Sequence, residues 1–238
     1  MASKPAPTRP IPRLYLATPI VDDPSVLVTG LPGLLAGADI AAVLLRLEVT
    51  DQRTMMARIK MLAPAIQNAG AALLLDGKSL DNHVESLDNH VELVARAGAD
   101  GAHLTGIAAL EEALPSLKPD RIAGLGGLAT RHDSMVAGEL GADYVLFGEP
   151  DAGGQRPSVD AVAERLDWWA ELFEPPCIGY AASREEAYAF ARAGADFVLV
   201  DEAVWADTRG ATAALADIGQ ALRQAHTDAR AAAKAGQA

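Results

Sequence analysis

The chain has 238 residues, of which 50% are hydrophobic, 22% charged and 5% aromatic, a composition that excludes wholesale disorder and describes a globular protein. Twenty Lys and Arg stand against 32 Asp and Glu, a formal charge of −12 with no basic run, which excludes nucleic acid and anionic membrane as expected partners. Cys177 alone cannot form an intrachain disulfide, and no apolar run reaches the ~18 residues that would span a bilayer.

Residues 1–12 are Pro-rich and cationic with no apolar signal core behind them, so they read as a flexible arm on a cytoplasmic protein. Strand-length apolar runs then follow at 13–19, 71–76, 121–126 and 175–180, and after each of four Gly-Ala-Asp triplets starting at Gly37, Gly98, Gly141 and Gly194. A glycine at a helix end can take the left-handed conformation that closes the helix, so each triplet predicts a helix-to-strand joint. Helical stretches fall at 27–36, 51–68, 79–97, 107–116, 131–140, 157–173, 183–193 and 209–235. Eight strands apolar on both faces and separated by helices predict an α/β protein with a parallel sheet, closed as a single (β/α)8 TIM barrel over 13–225. Residues 226–238 read as a C-terminal helix end or tail.

The third helical stretch carries SLDNHVE twice in succession, from Ser79 and from Ser86. The repeat sets Leu80, Val84, Leu87 and Val91 on one helix face and predicts an extended third helix. His83 and His90 fall seven residues apart as a conceivable metal or partner ridge, but a solvated helix extension is the preferred reading.

Barrel chemistry belongs at the C-terminal strand ends. The polar residues there are Thr18, Arg46 with Glu48, Asp76 with Lys78, His103 with Thr105, Thr130 with Arg131, Glu149 with Asp151, Tyr180 with Ser183, and Asp201 with Glu202. Arg46, Lys78, His103, Thr130, Arg131 and Tyr180 are the candidate substrate-binding set, and Glu48, Glu149, Asp201 and Glu202 form an expected acidic rim. Ser183 with Glu186, ahead of an apolar helix, reads as a capping box.

In chain order, RLYLAT, VLLRLE, LLLDG, GADGAHLTG, GADYVLFGEP and GADFVLVDEAV resemble the thiamine phosphate synthase and thiazole tautomerase family over about residues 12 to 205. The resemblance implies a barrel that joins a pyrimidine diphosphate to a thiazole phosphate, with Mg2+ on the diphosphate. In the family's Gln-Leu-Arg-x-Lys signature this chain has Leu44-Leu45-Arg46-Leu47-Glu48, so Arg46 matches and the lysine becomes Glu48. Asp76 matches the metal-binding aspartate, while the second metal carboxylate falls near Ala108. The Ser-x-His after the fifth strand falls on Gly127 and Ala129, and His132 reads as an exposed helix residue. The sixth-strand loop offers Arg156 in place of Thr-x-Thr-Lys, and Tyr180 stands in the Gly-Gly turn, where it is expected to block an anion's approach to the backbone. The implied partners are small molecules, with homo-oligomerisation left open. A second reading of the same residues is a divergent, non-catalytic barrel holding a different, non-phosphorylated small ligand.

Overall fold

The computed structural model describes residues 9–77, 88–151 and 153–235. Eight parallel strands run β1 (Arg13–Val21), β2 (Ile40–Leu47), β3 (Ala72–Asp76), β4 (Gly101–Thr105), β5 (Ile122–Gly126), β6 (Tyr144–Phe147), β7 (Cys177–Ala181) and β8 (Phe197–Val200). They hydrogen-bond in sequence order, and β1 pairs with β8 to close the barrel. Among the described residues the helices are α1 (Ser25–Gly37), α2 (Gln52–Asn68), α3 (Asp88–Ala97), α4 (Ile107–Leu117), α5 (Arg131–Leu140), α6 (Val159–Leu172), α7 (Arg184–Arg192), the one-turn α8 (Glu202–Trp205) and the long α9 (Ala211–Ala235). The first heptad of the duplication and Lys78 lie outside the described residues; α3 takes up the second heptad from Asp88. α9 continues without a break past residue 226.

Alternation along the strands sorts side chains into two cores. Outward residues such as Leu45, Leu75 and Val198 meet the helices, and Trp169 of α6 is fully buried in that layer. Inward residues, among them Leu44, Leu74, Tyr144, Ile178 and Leu199, fill the barrel itself, as expected for a packed core with the working face above it.

The Gly-Ala-Asp joints set the N-terminal rim. Gly98, Gly141 and Gly194 have φ of 79°, 98° and 92°, the left-handed closure expected of them. Gly37 differs: it is the last residue of α1, and Ala38 continues in extended conformation at φ −142°. The aspartates have a shared task. Asp100, Asp143 and Asp196 each accept the backbone N–H of the preceding strand, from Leu73, Ala123 and Cys177 at 2.7, 2.6 and 2.9 Å. Their own N–H groups donate to the carbonyls of those same residues. Asp39 instead takes the Arg13 guanidinium at 2.8 Å.

Candidate active site

At the opposite end the strand termini surround a cleft of about 750 Å³. Its walls bring together Arg46, Glu48, Asp76, Glu149, Tyr180, Asp201 and Glu202 of the sequence-derived set, joined by Asp151 and Arg156. Six carboxylates thus face two arginines, and the acidic rim read from the sequence is gathered in one place.

Both arginines are already engaged. The Thr18 hydroxyl, fully buried, accepts the Arg46 backbone N–H at 3.0 Å and fixes where β2 leaves the barrel. The Arg46 side chain crosses to β8, where Nη1 donates to Asp201 Oδ2 at 3.0 Å, and its Nε lies 3.7 Å from Asp76 Oδ2. Burial by itself disfavours the guanidinium charge, but the bond and charge of Asp201, with Asp76 behind, outweigh it and hold the Arg46 pKa above its ordinary value. Asp201 Oδ2 also accepts the Tyr180 hydroxyl at 2.7 Å, and its Oδ1 accepts the Glu202 N–H that starts α8. Burial and then the Asp201 carboxylate push the Tyr180 pKa up, so the phenol stays a donor.

Arg156 is held as tightly. Its Nε and Nη2 donate to the carbonyls of Gly148 and Tyr180 at 3.0 and 2.8 Å, its guanidinium carbon lies 4.8 Å from the Tyr180 ring centroid, and it forks onto Glu186 at 2.7 and 3.3 Å. Burial opposes the Glu186 charge, but Arg156 and the Ala182 N–H prevail and lower its pKa.

These contacts revise two expectations. Tyr180 is the fourth residue of β7 with its ring inside the barrel, so it does not stand over the turn that follows. The turn is occupied by Glu186, whose Oε2 accepts the Ala182 N–H at 2.9 Å. Ser183 caps α7 by accepting the Glu186 N–H at 3.1 Å, as half of a capping box; the other half slips back one residue, because the Glu186 carboxylate is drawn toward Arg156. The carboxylate that occupies this helix end is therefore Glu186, which the sequence offered only as a cap and which pairs with Arg156.

The remaining candidates lie apart. Thr130 is the N-cap of α5 in a full capping box with Asp133, and Arg131 pairs with Glu164 at 2.7 Å and stacks 4.9 Å from the Trp168 centroid. Neither lines the cleft. His132 is exposed, as expected. His103 lies almost wholly buried below the cleft floor, reaching it through Glu149 at 3.2 Å. Position 108, where the family's second metal carboxylate would fall, is in the first turn of α4 and supplies no ligand. No group of three or more His, Cys, Asp or Glu that could hold a metal ion occurs among the described residues.

Residues 14–204 match the profile of the family described as thiamine monophosphate synthase. The chain belongs to this family. A thiamine-phosphate synthase of Rhodospirillum centenum is 35% identical over 214 residues, covering 89% of this chain and 98% of the relative. One of Hyphomonas neptunium is 32% identical, with 88% and 93% covered. Among solved structures, thiamine phosphate pyrophosphorylase from Pyrococcus furiosus superposes with a TM-score of 0.66 at 20% identity, covering 90% of this chain and 96% of its own, a likeness of fold. The thiamine monophosphate synthase match spans the whole barrel, from β1 to the last residue but one of α8. No helix among the described residues is long and apolar enough to cross a membrane.

Proposed function

We propose that this barrel performs the reaction named for its relatives, joining a pyrimidine methyl diphosphate to a thiazole phosphate to give thiamine phosphate. The C–O bond of the diphosphate ester breaks with its electron pair leaving on diphosphate, and the thiazole nitrogen lone pair forms the new C–N bond. The observation that carries the reading is Arg46: it keeps the position of the family's arginine at the end of β2 and lines the cleft with its charge secured by Asp76 and Asp201. A guanidinium is suited to a departing diphosphate because its fork of N–H donors matches paired phosphoryl oxygens. Asp201, itself held by the Tyr180 hydroxyl, keeps the guanidinium in the cleft wall, so Arg46 needs little reordering to receive the leaving group.

Among the described residues the side chains do not fit a protein-borne Mg2+ site, since Asp76, the carboxylate that matches the family's, already faces Arg46. Mg2+ would enter as part of the diphosphate substrate and would supply charge neutralisation for the leaving group.

The excess of carboxylates over arginines in the cleft favours a second reading, a non-phosphorylated or cationic ligand held without turnover. Incubation with both phosphorylated substrates and Mg2+, read by chromatography for thiamine phosphate, separates the two. Product requiring both substrates supports condensation. No product, together with calorimetric binding of unphosphorylated thiamine, supports the second reading.

A further inference from the structure

β5 contributes two glycines, Gly124 and Gly126, to the barrel interior beyond Ile122. A Cβ on Gly124 would run into the Tyr144 ring, and one on Gly126 would collide with the Glu149 carboxylate and press on His103. The vacated space holds a line of polar groups contributed by other strands. The hydroxyls of Tyr15 and Tyr144 lie 3.1 Å apart, the Tyr144 hydroxyl is 3.0 Å from His103 Nδ1, and His103 Nε2 is 3.2 Å from Glu149 Oε1.

The line has a direction. Burial raises the pKa of Tyr15 and Tyr144, so both phenols keep their protons. A bare Nε2 would set one acceptor against another at Glu149, so Nε2 carries hydrogen and donates. With hydrogen on Nε2 alone, Nδ1 is an acceptor for the Tyr144 hydroxyl, which leaves the Tyr144 oxygen to accept from Tyr15. Every donor points toward Glu149, and the Gly127 N–H adds a further one to Oε2 at 3.2 Å. Glu149 in turn lines both the main cleft and an adjoining pocket of about 430 Å³. The line therefore ends, at the cleft wall, in a carboxylate that is oriented from behind and can accept hydrogen bonds from a ligand in front.

We propose that Glu149 is a specificity-determining residue that accepts the amino N–H of an aminopyrimidine, with His103 and Tyr144 as positioning residues. The choice of ring rests on the condensation proposed above; the demand for an N–H donor rests on the direction of the line. A carbonyl at this wall would set acceptor against acceptor and a phosphate would add charge repulsion, whereas an amino group completes the chain of donors.

Calorimetry with 4-amino-5-hydroxymethyl-2-methylpyrimidine and with the same ring carrying hydrogen in place of the amino group tests this without turnover. The unaltered protein should prefer the amino ring by about tenfold or more, the scale of one charge-assisted hydrogen bond. Glu149→Ala should abolish the preference while leaving the affinity for the deaminated ring unchanged. Tyr144→Phe, which touches no ligand, should reduce the preference several-fold by leaving His103 Nδ1 without its donor, so that the ring is no longer held against Glu149, a ratio that general loosening of the core would not move. Failure of the unaltered protein to bind or to distinguish the two rings, or retention of the preference by Glu149→Ala, overturns the proposal. Preference without thiamine phosphate formation defeats the condensation and leaves this site standing; turnover without preference defeats this site alone.

Discussion

At the N-terminal rim three aspartates repeat one contact, whereas at the C-terminal mouth Asp201, Glu149 and Glu186 each have a different set of partners. Asp100, Asp143 and Asp196 each tie the start of a strand to its neighbour through the same pair of backbone groups. At the mouth, Asp201 serves Arg46, Tyr180 and a helix start, Glu149 serves His103 and Gly127, and Glu186 serves Arg156 and Ala182. A contact made with backbone can recur wherever the backbone recurs. A contact made with another side chain depends on what a distant segment supplies, and each of these three mouth carboxylates makes at least one.

The largest effect should come from the mouth. Asp201→Ala strips an acceptor from a mostly buried guanidinium, a buried phenol and a backbone N–H, and is expected to lower unfolding free energy by about 3 kcal/mol in urea denaturation. A loss below 1 kcal/mol would mean that Arg46 finds water or Asp76 at little cost. Next is Gly124→Ala: its Cβ meets the Tyr144 ring, and overpacking of this kind costs about 2 kcal/mol. Near-UV circular dichroism should change with it, because a tyrosine must move.

Rim substitutions should be smaller and alike. Asp100→Ala, Asp143→Ala and Asp196→Ala each orphan one strand N–H and should each cost about 1–2 kcal/mol. A spread much wider than that would break the claim that the rim repeats one device. Gly98→Ala needs no new space, since nothing lies within 4 Å of its Cβ, and the left-handed φ of 79° alone should cost about 1 kcal/mol.

This contrast also explains what the sequence made legible. The barrel, its strand ends and three of the four glycine closures follow from patterns that repeat along the chain. Residues whose role is set by the strand they sit on, such as Arg46 and Asp76, could be placed at the mouth in advance. The engagement of both arginines could not, because Arg46 meets Asp201 across 155 positions and Arg156 meets Glu186 only when the loop after β6 reaches the first turn of α7. Glu186 carried a clear local signal as a helix cap, and that signal hid its second role. Gly124 and Gly126 read as strand residues, and only the closed barrel reveals the space they leave for Tyr144, His103 and Glu149.

The smallest effect at neutral pH belongs to Cys177, at the rim end of β7. Burial pushes its thiol up to about 12, against about 8.5 in an unfolded chain. The folded state thus favours the protonated thiol. That stabilisation is fully present below about pH 8.5 and is lost as pH rises from there toward 12. The native protein at pH 8 should resist thiol reagents and label only at the rate at which it opens; labelling at the rate of a free thiol would contradict this.

Arg46 bears the central claim, that an arginine enclosed by carboxylates still serves a diphosphate leaving group. The direct measurement is thiamine phosphate and diphosphate release from the two phosphorylated substrates with Mg2+, comparing the unaltered chain with a folded Arg46→Gln variant. The expected result is equimolar products from the unaltered chain and a fall in kcat of about a hundredfold or more in the variant, the scale of removing one preorganised charge from a transition state. No product from the unaltered chain, or undiminished turnover by Arg46→Gln, would contradict the account.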